Sequence, residues 1–152
     1  MSRSLRTSTP PRYLHPPAIV PTRMTPDSLH PIRAPRVTLV VPCYNEARRL
    51  DVGAFGRWVG ERGGRSILFV DDGSTDGTRD VLLALAARHP GAVAVHAMPR
   101  NAGKGEAVRV GMRRALEGAP DIVGFWDADL ATPLDECERL VAVLEARPGV
   151  TM

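Results

Sequence analysis

The stretch Ser66-Ile67-Leu68-Phe69-Val70-Asp71-Asp72-Gly73-Ser74-Thr75-Asp76-Gly77-Thr78 decides the fold. Ile67 to Val70 is a short, unbroken apolar run, the pattern of a strand buried on both faces. Acids and glycines then stop the run and make a turn. Asp76 or Thr78 can cap a helix whose stripe is Val81, Leu82, Leu85 and Ala86. His89-Pro90-Gly91 ends that helix after Arg88. A buried strand, a polar turn and an amphipathic helix make one β-α unit.

The same unit recurs on either side. Val37 to Val41 is a β-branched run closed by Pro42, followed by a predicted helix from Glu46 to about Arg62 with Leu50, Phe55, Trp58 and Val59 at helical spacing. Gly63-Gly64 stops it. Val93 to Met98 reads as a third strand. Lys104 to Glu117 reads as a helix with Ala107, Val108, Met112, Ala115 and Leu116 facing inward. Ile122 to Trp126 is the fourth strand. Pro133 suits the first turn of a last helix, Leu134 to about Ala146. Strict alternation predicts an α/β fold with a mostly parallel sheet, doubly wound through right-handed crossovers. In the order 3-2-1-4 the switch point lies between strands one and four, and a ligand binds beyond their carboxyl ends.

Outside this pattern lies residues 1–35, which hold eight of the 14 prolines. Proline fixes φ and removes backbone donors, so this segment is predicted to be a disordered Pro/Arg-rich arm. The net charge of +3 is also local. Six arginines against Asp27 give residues 1–36 a charge of +5, which leaves the rest at −2. A basic tail is no basic surface, and a nucleic-acid partner is not expected. Cys43 and Cys137 stand in no metal-ligand spacing and read as reduced core thiols of a cytoplasmic protein. No apolar run is long enough for a transmembrane segment, and no apolar core follows the N-terminal charges as in a secretory signal.

Chemistry-bearing residues collect where the strands end. Asp127-Ala128-Asp129 follows strand four. Two carboxylates at i and i+2 can turn to one Mg²⁺ or Mn²⁺, although a helix-capping turn would have the same letters. Asp71 follows an apolar run, so its carboxylate needs a donor partner. Asp72 could accept from a ribose hydroxyl or a base N–H. Asn101-Ala102-Gly103-Lys104-Gly105 places the only lysine of the chain between glycines at a helix start, where free amides favour phosphate. It is not a P-loop, because Gly105 stands where Ser or Thr should follow the lysine. Tyr44 could stack on a base or be a boundary aromatic. A phosphatase using Asp127 as nucleophile is disfavoured, since that chemistry usually places its paired aspartates after the first strand.

In this order, Val40-Val41-Pro42-Cys43-Tyr44-Asn45-Glu46, Val70-Asp71-Asp72-Gly73-Ser74-Thr75-Asp76-Gly77-Thr78, Asn101-Ala102-Gly103-Lys104-Gly105 and Asp127-Ala128-Asp129 resemble the family 2 glycosyltransferases. The resemblance covers residues 36–152 and implies a Rossmann-like GT-A nucleotide-sugar-binding domain. It implies that Pro42, Tyr44, Glu46, Asp71, Asp72, Lys104 and Asp127 line the donor site. It also implies that Asp127 and Asp129 form the DxD pair, with Asp129 the direct metal ligand. The implied reaction is inverting transfer of a sugar from a UDP- or GDP-sugar. A narrower resemblance joins Asn101 to Met112 and Asp127 to Pro133 to the polyprenyl- or dolichyl-phosphate sugar transferases, the glucosyl branch more than the mannosyl. That branch implies a lipid-phosphate acceptor and a cytoplasmic position peripheral to the inner membrane face.

Members of this family continue well past the DxD pair, so the expectation is a domain incomplete at its C-terminus. The general base is then expected beyond Met152. Asp135, Glu136 and Glu138 read as a solvated face or as balance for the dipole of the last helix. The competing reading is a non-catalytic nucleotide-binding module completed by a partner.

Overall fold

Eight elements alternate along the chain in the computed structural model, which describes residues 34–146. They are β1 (Val37–Cys43), α1 (Val52–Glu61), β2 (Arg65–Asp71), α2 (Thr78–Arg88), β3 (Val93–Ala97), α3 (Lys104–Glu117), β4 (Ile122–Phe125) and α4 (Leu134–Ala146). The four strands form one parallel sheet in the order β3-β2-β1-β4. The predicted arm, apart from Ala34 and Pro35, lies outside the described residues, as do residues 147–152.

The strand pattern sets two cores. Leu39, Val41, Ile67 and Phe69 turn to one face and pack with Phe55 and Trp58 of α1, Leu82 and Leu85 of α2, and Cys137 and Val141 of α4. The Phe55 and Phe69 rings meet edge to face at 5.1 Å. Val40 and Val70 turn to the other face and pack with Ala107 and Ala115 of α3. α3 lies on the opposite face because the chain reverses direction after β3 and crosses back over β2 and β1 to reach β4. That reversal makes the switch point beside β1. β4 pairs only with β1 among the described residues, and Phe125 at this edge is 52% exposed.

The structure corrects the start of the first helix. Glu46 to Arg49 is a turn, in which the amides of Arg49 and Leu50 donate to Glu46 O at 2.9 and 3.0 Å. Asn45 before it has φ +55, which bends the chain away from the line of β1. The helix begins after Asp51, whose carboxylate accepts from Ala54 N at 2.9 Å.

Glu138 also departs from the solvated face predicted for it. Its Oε1 accepts from Arg65 Nε at 2.9 Å and its Oε2 from Arg65 Nη2 at 2.8 Å, with Arg62 Nη1 adding a bond at 3.0 Å. Arg65 Nη1 also donates to Pro35 O at 2.9 Å. The pair ties α4 to the amino end of β2. Asp135 and Glu136 do lie in the first turn of α4, where carboxylates balance the helix dipole.

Candidate functional site

Four loops leave the carboxyl ends of the strands, and neighbouring loops hold one another in place. After β1, Glu46 N donates to Thr78 Oγ1 at 2.8 Å and Asn45 N to Ser74 Oγ at 3.0 Å. Asn45 Oδ1 accepts in return from Thr75 N at 2.9 Å. The hydroxyls of the β2 loop thus hold the β1 loop in place. Thr78 is fully buried for this purpose. Asp76 accepts from the Thr78 side chain and from the amides of Thr78 and Ala47, which together hold its carboxyl below the usual range.

The two adjacent aspartates at the end of β2, Asp71 in the strand and Asp72 just beyond it, part company. Asp71 is 2% exposed, accepts from Ser74 N at 3.0 Å and has Arg79 Nε at 3.8 Å. It finds in these the donor partners that its apolar setting demands, but it braces its own turn and does not line the cleft. Asp72, equally buried, reaches across to the β3–α3 loop. Its two oxygens accept from Ala102 N and Gly103 N, each at 2.8 Å. Gly73 packs against the same loop: a Cβ here would lie 2.5 Å from Arg100 C and Asn101 N. With φ +68 as well, only glycine fits.

These loops enclose one cleft of about 350 Å³. It is lined by Pro42, Tyr44 and Glu46 from the β1 loop, by Asp72, by Asn101, Gly103 and Lys104 ahead of α3, and by Asp127 and Asp129 after β4. The structure therefore gathers every predicted site residue except Asp71. It adds Cys43, Asn101, Gly103, Ala107 and Ala128, which the sequence reading did not assign to the site. Asn101 carried a signal, since an Asn before Ala-Gly can bridge its own turn, and its Oδ1 accepts from Gly103 N at 3.0 Å. Cys43 carried none. Burial pushes its thiol far up, and Glu46 and Asp71 act the same way, so it is no nucleophile at neutral pH.

The cleft is acidic: four carboxylates, on Glu46, Asp72, Asp127 and Asp129, face one cation, Lys104. Lys104 Nζ stands 2.5 Å from Asp127 Oδ1. That oxygen is shielded from solvent and meets the ammonium as an ion pair. Asp129 is exposed, and its Oδ1 accepts from Ala131 N at 3.1 Å. Two carboxylates separated by one buried residue, Ala128, can meet one divalent cation. Among the described residues no group of three His, Cys, Asp or Glu is placed to hold a metal ion. The rest of a coordination shell must come from ligand oxygens and water, which suits Mg²⁺ or Mn²⁺. Glu46 offers a further unpaired, buried oxygen, Oε2, while its Oε1 pairs with Arg49 at 2.6 Å.

The parallel β3-β2-β1-β4 sheet with an acidic cleft at its switch point is an α/β fold of the GT-A type. The chain belongs to glycosyl transferase family 2, whose family model matches residues 38–152. It is 33% identical over 128 residues to a dolichyl-phosphate beta-glucosyltransferase of Trichomonas vaginalis, covering 79% of this chain and 35% of that one. It is 34% identical over 116 residues to the undecaprenyl-phosphate 4-deoxy-4-formamido-L-arabinose transferase of Serratia proteamaculans, covering 72% and 34%. Among solved structures it is similar to a mannosyltransferase from Pyrobaculum calidifontis in complex with GDP-Man and Mn²⁺. That match has TM-score 0.61 and 31% identity over 79% of this chain and 35% of that one. The chain thus spans about a third of the length of these relatives. No helix among the described residues is long and apolar enough to cross a membrane.

Proposed function

We propose that this chain forms the donor-binding part of an inverting glycosyltransferase, which moves a sugar from a UDP- or GDP-sugar to a polyprenyl-phosphate acceptor. The observation that carries the proposal is the convergence of four strand-end loops on one cleft that contains both Asp127 and Asp129. The similarity to transferases that use dolichyl and undecaprenyl phosphate supports the acceptor class. Such an acceptor places the protein on the cytoplasmic side, peripheral to the membrane.

Each residue has a task that its surroundings fit. The Tyr44 ring, 44% exposed at the cleft, offers a face on which a base can stack. Glu46 Oε2 is free to accept a ribose hydroxyl. Asp72 keeps one lone pair on each oxygen after holding the β3–α3 loop, enough for one ligand N–H or O–H. Pro42, buried at the end of β1, forms the apolar floor. Lys104 and the first amides of α3 face the phosphates. A divalent cation, Mg²⁺ or Mn²⁺, held by the Asp127–Asp129 DxD pair would act as a Lewis acid on the departing nucleoside diphosphate. A lipid phosphate is ionised near neutral pH and can attack without a protein base, whereas a hydroxyl acceptor needs one.

Calorimetric titration of UDP, GDP and their sugars, with and without Mn²⁺, tests the proposal. Binding that requires metal and disappears in Asp129→Ala is the expected result. Equal binding without metal, or an unaffected variant, removes the DxD role from this pair.

A further inference from the structure

We propose that Lys104 is the resident counter-ion of Asp127 in the metal-free cleft, and that its ammonium passes to the ligand phosphates when a divalent cation takes over that carboxylate. The inference rests on the donor-site reading above and concerns how the site is kept ready.

Charge makes some such device necessary. Four carboxylates crowd one cleft with one cation. Asp127 Oδ1 is shielded from water, and the ammonium at 2.5 Å compensates it. A diphosphate could not enter beside these acids unless more positive charge arrived with it.

The pair is also built to separate. Its side chains are 60% and 46% exposed, and it meets at a single point. Exposed ion pairs of this kind contribute only ~0.2–1 kcal/mol. Lysine is a compact charge on a flexible stem, and its donors rotate freely. The base of that stem, by contrast, is fixed. Asp72 holds Ala102 N and Gly103 N, and Gly73 is packed on Arg100 and Asn101. Lys104 opens α3, where the helix dipole favours an incoming anion. A rigid root and a mobile head are what an exchangeable cation needs.

The single lysine allows a clean test on the whole chain. Reductive methylation with ¹³C-formaldehyde marks Lys104 and the terminal amine alone. Mg²⁺ should shift the Lys104 signal, and the shift should vanish in Asp127→Asn. Mn²⁺ binding, followed by electron paramagnetic resonance without nucleotide, should strengthen about two- to fivefold in Lys104→Met. Affinity of the same variant for UDP or GDP at saturating Mn²⁺ should fall by a similar factor, and Lys104→Arg should restore part of it. Unchanged or weaker Mn²⁺ binding by Lys104→Met overturns the inference, as does an absence of Mn²⁺ binding by both chains. Metal-dependent nucleotide binding by the wild type alongside such a result leaves the donor-site reading standing. Loss of that dependence in the wild type sinks both.

Discussion

Two ion pairs sit at opposite ends of the same sheet, and they are built for opposite purposes. At the amino end, Arg65 grips Glu138 with two parallel bonds of 2.9 and 2.8 Å, and the side chains are 6% and 13% exposed. At the carboxyl end, Lys104 touches Asp127 at one point, and both side chains are about half exposed. A planar fork that matches a carboxylate gives a fixed latch, whereas a point charge on a flexible stem gives a contact that can be exchanged. The fold thus spends its rigid chemistry away from the cleft and keeps mobile charge within it.

The largest expected effect lies at the latch. Glu138→Ala leaves the Arg65 guanidinium buried without its partner, which costs about 3–5 kcal/mol. Urea denaturation should show this as a lower midpoint, and a loss under 1 kcal/mol would make the two pairs alike and break the comparison. Acid provides a second measure. The Arg65 hydrogen bonds, opposed in part by burial, hold the Glu138 carboxyl below its ordinary value. A depressed folded value stabilises the protein above the unfolded value of about 4.3, and that stability is lost as pH falls through the lower folded value. Wild-type stability should therefore fall on acidification, and Glu138→Gln should flatten that slope.

Next in size come the two loops that root Lys104. Gly73 and Gly103 both have positive φ, +68 and +93, yet their surroundings differ. A Cβ on Gly73 strikes backbone at 2.5 Å, while one on Gly103 meets nothing within 4 Å. Gly73→Ala should cost roughly 2–4 kcal/mol, strain and collision together. Gly103→Ala should cost about 1 kcal/mol, from strain alone. Thermal unfolding of both variants sharpens the contrast, because equal losses would show that the packing of Gly73 on Arg100 and Asn101 does not hold the loop rigidly.

These residues also mark what a sequence can and cannot convey. The strands, their parallel order and the switch point were legible, because apolar runs and helical spacing are local patterns, as Leu68 to Val70 and Leu82 to Leu85 illustrate. The cleft was legible because each of its loops follows a strand end. Glu138 was misread as solvated, since its partner Arg65 is 73 residues away and no local pattern links them. Glu46 was placed in a helix because the helical spacing of Leu50, Phe55, Trp58 and Val59 follows it, while the bond that holds it in a turn comes from Thr78, and Asn45 before it is left-handed. The different fates of Asp71 and Asp72 were hidden for another reason. Asp71 is the last residue of β2 and Asp72 the first beyond it, and only the paths of the neighbouring loops decide which one reaches the cleft.

The smallest expected effect completes the comparison. Lys104→Met removes a cation from beside Asp127, but both side chains are already about half exposed to water. Solvent and salt screen the pair, and its contribution to folding is about 0.5 kcal/mol or less. The variant should unfold within that margin of the wild type, and raising the salt concentration should erase even this difference. A loss approaching that of Glu138→Ala would mean that the ammonium is locked in place, and a locked ammonium could not leave Asp127 for a phosphate. The same denaturation curve that finds the latch strong must therefore find this pair weak.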